Sequence, residues 1–317
     1  MLLAGGGSLR SFYRIQTAQG PFVVMLAPKD CAEIKAYVDV GRFLRARGIA
    51  APEIVCYDDV RQVVLLEDLG DDSLYSLLNS ASSRQEVMGY YSGAAVFLAE
   101  MQMKATPHIE SCGYLRNRWF GYDALRWETD YFAECFLKRF CRLRIAREDE
   151  LDEEFHLLAC SIDGEPRYFM HRDFQSQNMF VKNGQFRVID FQTATRGLLQ
   201  YDLASLLKDA YFQLDNRERD ILLNTYMDEL TETWGMRVDR VHFRQLFHRT
   251  GMQRTMQALG AFAFLGMDRG KTDFLQHIPA ALANLRDALE MFDGFPVLKA
   301  SAGEALLRIR GGDCAAQ

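Results

Sequence analysis

Apolar positions in the first part of the chain follow the pattern of a small β-sheet with one helix. Two runs of β-branched and aromatic residues, 11–17 and 22–26, are separated by a Gly-Pro pair, which predicts a hairpin. Apolar residues then recur at helical spacing over 31–47, and Asp30 with Glu33 forms a capping pair at the start of this segment. The N-terminal part is therefore predicted to be rich in β-structure.

Further along the chain the apolar pattern becomes mainly helical. A strand at 63–67 comes before this change, and a strand-rich stretch at 168–191 interrupts the helices. The tail after residue 300 ends in small and polar residues and is predicted to be frayed. The pattern predicts an α+β protein with an N-terminal lobe, 1–69, and a C-terminal lobe, 70–317. Later helices are predicted over 123–142, 149–162, 201–213, 216–234, 240–265 and 276–292.

Composition and charge narrow the class of protein. The 317 residues are 49% hydrophobic and 25% charged, as in an ordinary globular protein, and the net charge of -6 argues against a nucleic-acid-binding surface. The sequence has no apolar run of about 18–20 residues, the length that spans a membrane, so no membrane partner and a cytoplasmic location are expected. The seven cysteines form no C-x-x-C pair, which gives little support to a zinc or disulfide framework.

Candidate chemistry is concentrated in one short polar motif. His171, Arg172 and Asp173 are consecutive, Asn178 follows five residues after Asp173, and Asp190 follows twelve residues after Asn178. Phosphoryl transfer requires a carboxylate that orients the acceptor hydroxyl and takes its proton, together with hard oxygen ligands for Mg²⁺. The spacing predicts Asp173 as the base and Asn178 and Asp190 as metal ligands. His171 and Arg172 are expected to hold the loop.

A tight turn is predicted to bring these residues together. Asn183-Gly184 is typical of a type I′ hairpin, which would return Asp190 to the end where Asn178 lies. Each of these residues alone could simply cap a local turn in a polar loop. The three together with the hairpin favour a catalytic site.

A glycine-rich segment near the N-terminus is the second phosphate-related feature. Gly6, Gly7 and Ser8 stand just before the first predicted strand. Glycines let backbone N–H groups approach phosphate oxygens closely, and a serine hydroxyl can add a donor. The segment is predicted to bind nucleotide phosphates, the alternative being a flexible leader.

The end of the strand at 63–67 is predicted to form the connector between the two lobes. Glu67, Asp68 and Leu69 can present backbone N–H and C=O groups to the edge of an adenine. The segment could equally be a plain link between lobes, and the two interpretations are compatible.

Three of these segments resemble the aminoglycoside phosphotransferase and choline kinase branch of the kinase-like superfamily. HRDFQSQN at 171–178 resembles its catalytic loop, IDFQ at 189–192 its metal-binding motif, and YDLA at 201–204 the motif that follows. The resemblance covers most of the chain. It implies a two-lobed protein-kinase-like fold, with ATP and Mg²⁺ as cofactors, and it implies that Asp202 buttresses the catalytic loop.

Other segments resemble bacterial anomeric kinases that act on N-acetylmuramate and N-acetylglucosamine. That group phosphorylates the C1 hydroxyl of the sugar in cell-wall recycling, so the resemblance implies an amino-sugar acceptor. The segments that carry this resemblance are 6–8, 12–14, 66–70, 125–128, 130–132, 253–254, 258–260 and 262–263.

The sequence departs from the usual kinase pattern at one position. Met25 stands where kinases place a third-strand lysine that holds the α- and β-phosphates, although the anomeric kinases resemble this chain in lacking it. Lys29 or Lys35 could substitute for that lysine, or backbone amides and Mg²⁺ could suffice. A nucleotide-binding pseudokinase that acts as a scaffold stays open as an alternative.

The acceptor is predicted to be a small molecule. Only eleven residues separate Asp190 from Asp202, which is too short for the activation segment and peptide platform of a protein kinase. Glu128, Tyr131 and Arg254 are the candidate substrate residues, because they offer the hydrogen-bonding and aromatic groups that suit a sugar.

Two questions about the acceptor stay open from the sequence. Trp127 and Tyr131 are four residues apart, so they could instead be core residues of one helix face. An acidic pocket would favour a cationic aminoglycoside or choline, whereas an arginine would suit a carboxylate such as the lactyl group of muramate.

Overall fold

A four-stranded antiparallel sheet forms the N-terminal part of the protein, whose computed structural model describes residues 1–3, 10–29 and 31–314. The sheet is confirmed to begin with the predicted hairpin, in which Thr17 pairs with Gly20 across a two-residue turn. Its strands are β1 (Ser11–Thr17), β2 (Gly20–Leu26), β3 (Ile54–Asp58) and β4 (Val63–Glu67). They lie in the order β1-β2-β4-β3. Strand β3 was not predicted, because its five residues include polar positions and follow closely after Pro52.

Helix α1 (Ala32–Ala46) follows the first hairpin, as predicted. Gly48, with a φ of 68°, lies just after its C-terminus in the left-handed region that glycine adopts without strain. Cys31 is the N-cap and makes no side-chain capping bond. Asp30 lies outside the described residues, so its capping pair with Glu33 stays a prediction.

The rest of the chain is mainly helical, and the α+β class is confirmed. The helices are α2 (Leu74–Ser80), α3 (Arg84–Ala105), α4 (Tyr122–Tyr131), α5 (Glu148–Asp163), α6 (Leu199–Leu207), α7 (Asn216–Glu232), α8 (Arg240–Asp268), α9 (Ile278–Leu289) and α10 (Pro296–Gly311). A π-helix, Phe132–Phe140, continues α4, so the predicted helix over 123–142 changes its winding halfway. Among the described residues, none of the helices combines the length and the apolar character that a membrane span requires.

The prediction of a frayed tail after residue 300 is wrong for residues 301–311. Helix α10 runs through this region and ends at Gly311, and the C-cap residue Gly312 has a φ of 77°. Its buried face is made largely of small residues, among them Ala302 and Ala305, beside the larger Leu298. Small residues allow close packing of a helix, but they give a weak apolar signal in the sequence, and this explains the error.

Two short strand pairs lie in the stretch that interrupts the helices. The strands are β5 (Tyr168–Met170), β6 (Met179–Lys182), β7 (Gln185–Val188) and β8 (Thr195–Gly197). Strand β5 pairs with β8, and β6 pairs with β7, both antiparallel. The pairing of β8 uses part of the short segment between Asp190 and Asp202.

Contacts along the chain divide it into two units, each assembled from separate segments. The first unit contains Met1–Trp119, Tyr168–Asp202 and Ile221–Met236, and the second contains Phe120–Arg167, Leu203–Asp220 and Arg237–Gln317. The N-terminal sheet, α1 to α3 and the β6–β7 hairpin all belong to the first unit. These units group the chain differently from the predicted lobes 1–69 and 70–317, which stay a prediction.

Candidate active site

The β6–β7 hairpin has the predicted type I′ geometry. Asn183 and Gly184 have φ values of 52° and 74°, and both therefore adopt the left-handed conformation that this turn requires. Beyond the strands, the N–H of Ile189 donates to the C=O of Asn178 at 3.0 Å. The hairpin thus returns Asp190, the next residue, to the neighbourhood of Asn178, and the predicted convergence is confirmed.

Asn178 and Asp190 offer oxygen ligands of the kind that Mg²⁺ prefers. The Nδ2 of Asn178 donates to the C=O of Asp173 at 2.9 Å, which leaves its Oδ1 as the ligand atom. The Oδ1 of Asp190 accepts from Gln192 Nε2 at 3.1 Å and from Arg10 Nη2 at 2.6 Å. Over residues 1–3, 10–29 and 31–314 no group of three or more His, Cys, Asp or Glu side chains is placed so that it could hold a metal ion. The donor set fits a hard cation that keeps water or phosphate in its other positions.

The carboxylate of Asp173 is held by a residue that the sequence analysis missed. The Oγ1 of Thr193 donates to Asp173 Oδ2 at 3.1 Å. Thr193 ends a short 3-10 helix, Phe191–Thr193, that follows directly after Asp190. The signal for it was its place next to the predicted metal-binding motif, where a hydroxyl can reach back to the catalytic loop.

His171 is buried and lies between the two halves of the motif. The N–H of Asp173 donates to its Nδ1 at 3.3 Å, so the ring proton is on Nε2, which donates to the C=O of Ile189 at 3.0 Å. Burial lowers the pKa of this imidazole, which favours the neutral form that these two bonds require. His171 therefore holds the loop, as predicted, by joining it to the end of β7.

Asp202 lies beneath the loop and is fully buried. Its carboxylate accepts the N–H of His171 at 2.7 Å and that of Arg172 at 2.9 Å, and burial raises its pKa to about 7. Arg172 has a φ of 78°, a strained conformation for a residue other than glycine, which these bonds stabilise. Gln102 also donates to Asp202, and the hydroxyl of Tyr226 donates to Gln102. No local pattern in the sequence points to Gln102 or Tyr226, which lie on distant helices.

A cavity of about 390 Å³ in the first unit contains both candidate metal ligands. Apolar side chains of three strands line it, namely Val23, Leu66 and Phe180, and Asn178 and Asp190 also lie at its wall. An apolar cavity with a few polar groups is typical of a small-molecule site.

The predicted connector also lines this cavity. Glu67, Asp68 and Leu69 all lie at its wall. The N–H of Glu67 donates to the C=O of Glu53 at 2.9 Å, and the C=O of Asp68 accepts from Lys182 Nζ at 2.7 Å. Because two backbone groups of the connector are already engaged in this way, Leu69 is the part best suited to meet a ligand edge.

The cavity does not contain the lysines that were considered as substitutes for the third-strand lysine. Met25 is fully buried in β2. Lys29 and Lys35 line a different cleft, and Lys35 forms an exposed ion pair with Asp39 at 2.8 Å. Arg10, which the sequence analysis did not single out, is the basic residue that contacts the candidate metal ligand Asp190.

The glycine-rich segment is the other feature predicted to bind phosphate. Gly6, Gly7 and Ser8 lie outside the described residues, so their contact with nucleotide phosphates stays a prediction.

Two of the three candidate acceptor residues are buried in the second unit among hydrogen-bonding partners. Glu128 is 0% exposed and accepts from Gln253 Nε2 at 3.1 Å. Arg254, also buried, donates to Ser205 at 2.8 Å and to Gln257 at 2.6 Å. These bonds engage both side chains with neighbouring helices, and the role of both residues in acceptor binding stays a prediction.

The third candidate, Tyr131, has a different setting on α4. Its ring stacks on that of Trp127 with centroids 5.0 Å apart and planes 12° from parallel. Trp127 is 57% exposed. The pair therefore presents an aromatic face to solvent, whereas the sequence left open whether the two rings belong to the core.

Known proteins share both the sequence pattern and the fold. A model of the phosphotransferase enzyme family matches residues 1–237. The N-acetylmuramate/N-acetylglucosamine kinase of Pseudomonas aeruginosa is 26% identical over 289 residues, which cover 89% of this chain and 81% of that protein. The protein of the same name from Caulobacter vibrioides is 28% identical over 265 residues, which cover 80% of this chain and 70% of that protein.

Solved structures show the same architecture at low identity. A choline/ethanolamine kinase family protein from Mesorhizobium loti has a TM-score of 0.63 at 12% identity, covering 97% of this chain and 92% of that one. An ADP-bound aminoglycoside phosphotransferase has a TM-score of 0.57 at 16% identity, covering 90% of this chain and 93% of that one. The predicted two-lobed protein-kinase-like fold is confirmed.

Proposed function

The chain belongs to the phosphotransferase enzyme family, and from this premise we propose that it is an ATP- and Mg²⁺-dependent kinase for the anomeric C1 hydroxyl of an N-acetylated amino sugar. The observation that carries the chemistry is the return of Asp190 to the side of Asn178 by the β6–β7 hairpin, next to the loop that holds Asp173. The supply of ATP favours a cytoplasmic location for this reaction.

Each polar residue of the hairpin region has a role in this proposal. Asp173 orients the acceptor hydroxyl and takes its proton, and the bond from Thr193 fixes the direction of its carboxylate. Asn178 and Asp190 hold the metal ion, which supplies neutralisation of phosphate charge when it is bound. Asp202 stabilises the loop from below through two backbone N–H groups.

The cavity of the first unit is the proposed site of the nucleotide. Its apolar strand residues suit an adenine ring, and the backbone of Leu69 suits the adenine edge. Glu67 and Asp68 would shape this end, since Lys182 donates to the Glu67 carboxylate at 2.8 Å as well as to the Asp68 carbonyl. In this proposal residues 1–69 form one wall of the nucleotide site, and residues 70–317, which supply Asn178 and Asp190, carry catalysis and acceptor binding.

The choice of an amino sugar rests on the curated relatives, whose printed names are those of N-acetylmuramate/N-acetylglucosamine kinases. The solved structures named as choline kinases and aminoglycoside phosphotransferases are less than 20% identical to the chain, and they support the fold alone. Exposed aromatic rings such as Trp127, stacked on Tyr131, suit the apolar face of a sugar.

An acceptor screen tests the proposal. ATP consumption is measured with N-acetylmuramate, N-acetylglucosamine, kanamycin and choline, and the product is examined by ³¹P NMR for a phosphate on an anomeric carbon. Turnover with an N-acetyl sugar and a C1-phosphate product is expected, and an Asp173→Asn enzyme serves as the inactive control. Turnover with kanamycin or choline alone would replace the acceptor, and nucleotide binding without any transfer would indicate a pseudokinase.

A further inference from the structure

Arg10 is a buried basic residue at the wall of the cavity, beside the candidate metal ligand Asp190. It stands immediately before β1, is 4% exposed, and its Nη2 lies 2.6 Å from Asp190 Oδ1. Its Nε lies 3.5 Å from Glu33 Oε2 in the first turn of α1. One guanidinium therefore joins the start of the sheet, helix α1 and a candidate metal ligand.

The surroundings of Arg10 hold its side chain at the cavity. Its Cζ lies 5.7 Å from the ring centre of Phe12 and 6.0 Å from that of Tyr37, both of which line the cavity with it. The Tyr37 ring in turn stacks on Phe191, the residue after Asp190, with centroids 4.4 Å apart. The guanidinium is thus enclosed between aromatic rings and two carboxylates, which fix its position.

We infer that Arg10 binds the nucleotide phosphates in place of the third-strand lysine, exchanging its bond to Asp190 for phosphate oxygens when the nucleotide enters. The inference rests on the proposed function. The missing lysine leaves the apolar Met25 in its position, and neither Lys29 nor Lys35 lines the cavity. Arg10 supplies the charge from the residue before β1, and its glutamate partner, Glu33, lies on α1.

The geometry of a guanidinium makes this exchange reasonable. It carries five N–H donors in a planar fork, so one edge can keep Glu33 while the other bonds a new anion. Phosphate oxygens offer the same charge-assisted bonds that Asp190 gives. Arginine also keeps its charge at every working pH, which a buried lysine does not guarantee.

The inference has two consequences of opposite sign. Without a divalent cation, removal of Arg10 should weaken ADP binding, because the phosphates lose their fixed positive partner. Without a nucleotide, the same removal should strengthen binding of a bare divalent cation at Asp190, because a competing positive charge is gone. A purely structural role for Arg10 would weaken both, since it predicts only a loosened site.

Calorimetric titrations of Arg10→Met separate these cases. ADP with EDTA, adenosine with EDTA, and Mn²⁺ alone are titrated into the wild type, Arg10→Met and Lys35→Met. Lys35→Met is the matched control, since it removes a positive charge from α1 at a site away from the cavity. For Arg10→Met we expect ADP affinity to fall about tenfold or more, adenosine affinity to stay within twofold, and Mn²⁺ affinity to rise. Lys35→Met should match the wild type in all three titrations.

Several outcomes would overturn the inference. ADP affinity that is unchanged in Arg10→Met, or Mn²⁺ affinity that falls together with it, would assign Arg10 a structural role. An equal loss in Lys35→Met would show a general charge effect. If Arg10→Met does not fold, Arg10→Gln, which keeps a donor to Asp190 without the charge, decides by the same three titrations. A wild type that binds neither ADP nor adenosine would refute the proposed function itself, and this inference with it.

Discussion

Two groups of polar residues in this protein have similar compositions and different settings. The hairpin region, residues 171–193 in the first unit, is bonded to backbone and side-chain groups of its own loop, and its Asn178 and Asp190 lie at the wall of a cavity. The helix cluster of Glu128, Gln253 and Arg254 in the second unit is buried and bonded to groups on α4, α6 and α8. Carboxylate and carboxamide side chains can therefore line a candidate site or form a buried packing contact.

The difference lies in how the backbone places each group. In the hairpin region a two-residue turn fixes the separation of Asn178 and Asp190, whatever the rest of the fold does. On α4 and α8 the direction of a side chain depends on which face of the helix meets a neighbour. Spacing in the sequence is therefore better evidence for a site in a short hairpin than on a long helix.

The largest effect is expected for Asp173→Asn, which attacks the hairpin region at its centre. Turnover should fall by about a thousandfold or more, because an amide cannot take the acceptor proton. Affinity for Mg²⁺ and nucleotide should stay within a few-fold, since Asp173 contributes only its backbone C=O to Asn178. Steady-state rates and calorimetric titration measure the two quantities. Retained turnover would show that Asp173 is not the base. Loss of both turnover and ligand affinity would indicate a loop that no longer folds.

The next effect concerns the ionisation of Asp202, which lies beneath the loop. Burial raises the pKa of Asp202 from 3.8 to about 7, so between these values the folded protein holds a proton that the unfolded chain has released. The free energy of unfolding should therefore fall as the pH rises from 5 to 8, by roughly 2–3 kcal/mol relative to Asp202→Asn. Urea titrations at three pH values measure this difference. A difference that does not change with pH would show that Asp202 is already ionised at pH 5.

Glu128→Leu tests the helix cluster. The substitution removes the fully buried carboxylate that accepts a bond from Gln253, so we expect a loss of about 2 kcal/mol in the free energy of unfolding. The KM for the acceptor should change less than twofold. A tenfold rise in KM with unchanged stability would instead support the predicted role of Glu128 in binding substrate, and the contrast between the two groups would disappear.

The smallest effect is expected for Thr193→Val, which has nearly the same shape but lacks the hydroxyl that donates to Asp173. The kcat should fall roughly tenfold, the amount that one hydrogen bond of about 1.4 kcal/mol is worth, while the KM for ATP stays unchanged. Thr193→Ser is the control, because it keeps the donor. If the serine enzyme is as slow as the valine enzyme, the methyl group and not the bond is what matters.

The sequence predicted those structural features that depend on residues close together in the chain. The first hairpin, helix α1 and the convergence at the β6–β7 turn depend on short spacings and on glycines, and they are confirmed. The family resemblance supplied the overall fold and the role of Asp202.

Long-range contacts were missed because they have no local pattern. Gln102 donates to Asp202, Tyr226 donates to Gln102 from a helix far away in the chain, and Arg10 contacts Asp190 across 180 positions. The prediction of a frayed tail was wrong for a related reason. Helix α10 depends on contacts that its small residues make with other parts of the chain.

The segment between Asp190 and Asp202 has one more consequence. Its residues form the turn Phe191–Thr193, strand β8 and the start of α6, and Ala194 and Leu198 between these elements are buried. The segment therefore contains no long irregular loop whose conformation an added phosphate group could change. A catalyst built in this way is assembled as soon as it folds, so its output would follow the concentrations of its substrates and the amount of protein made.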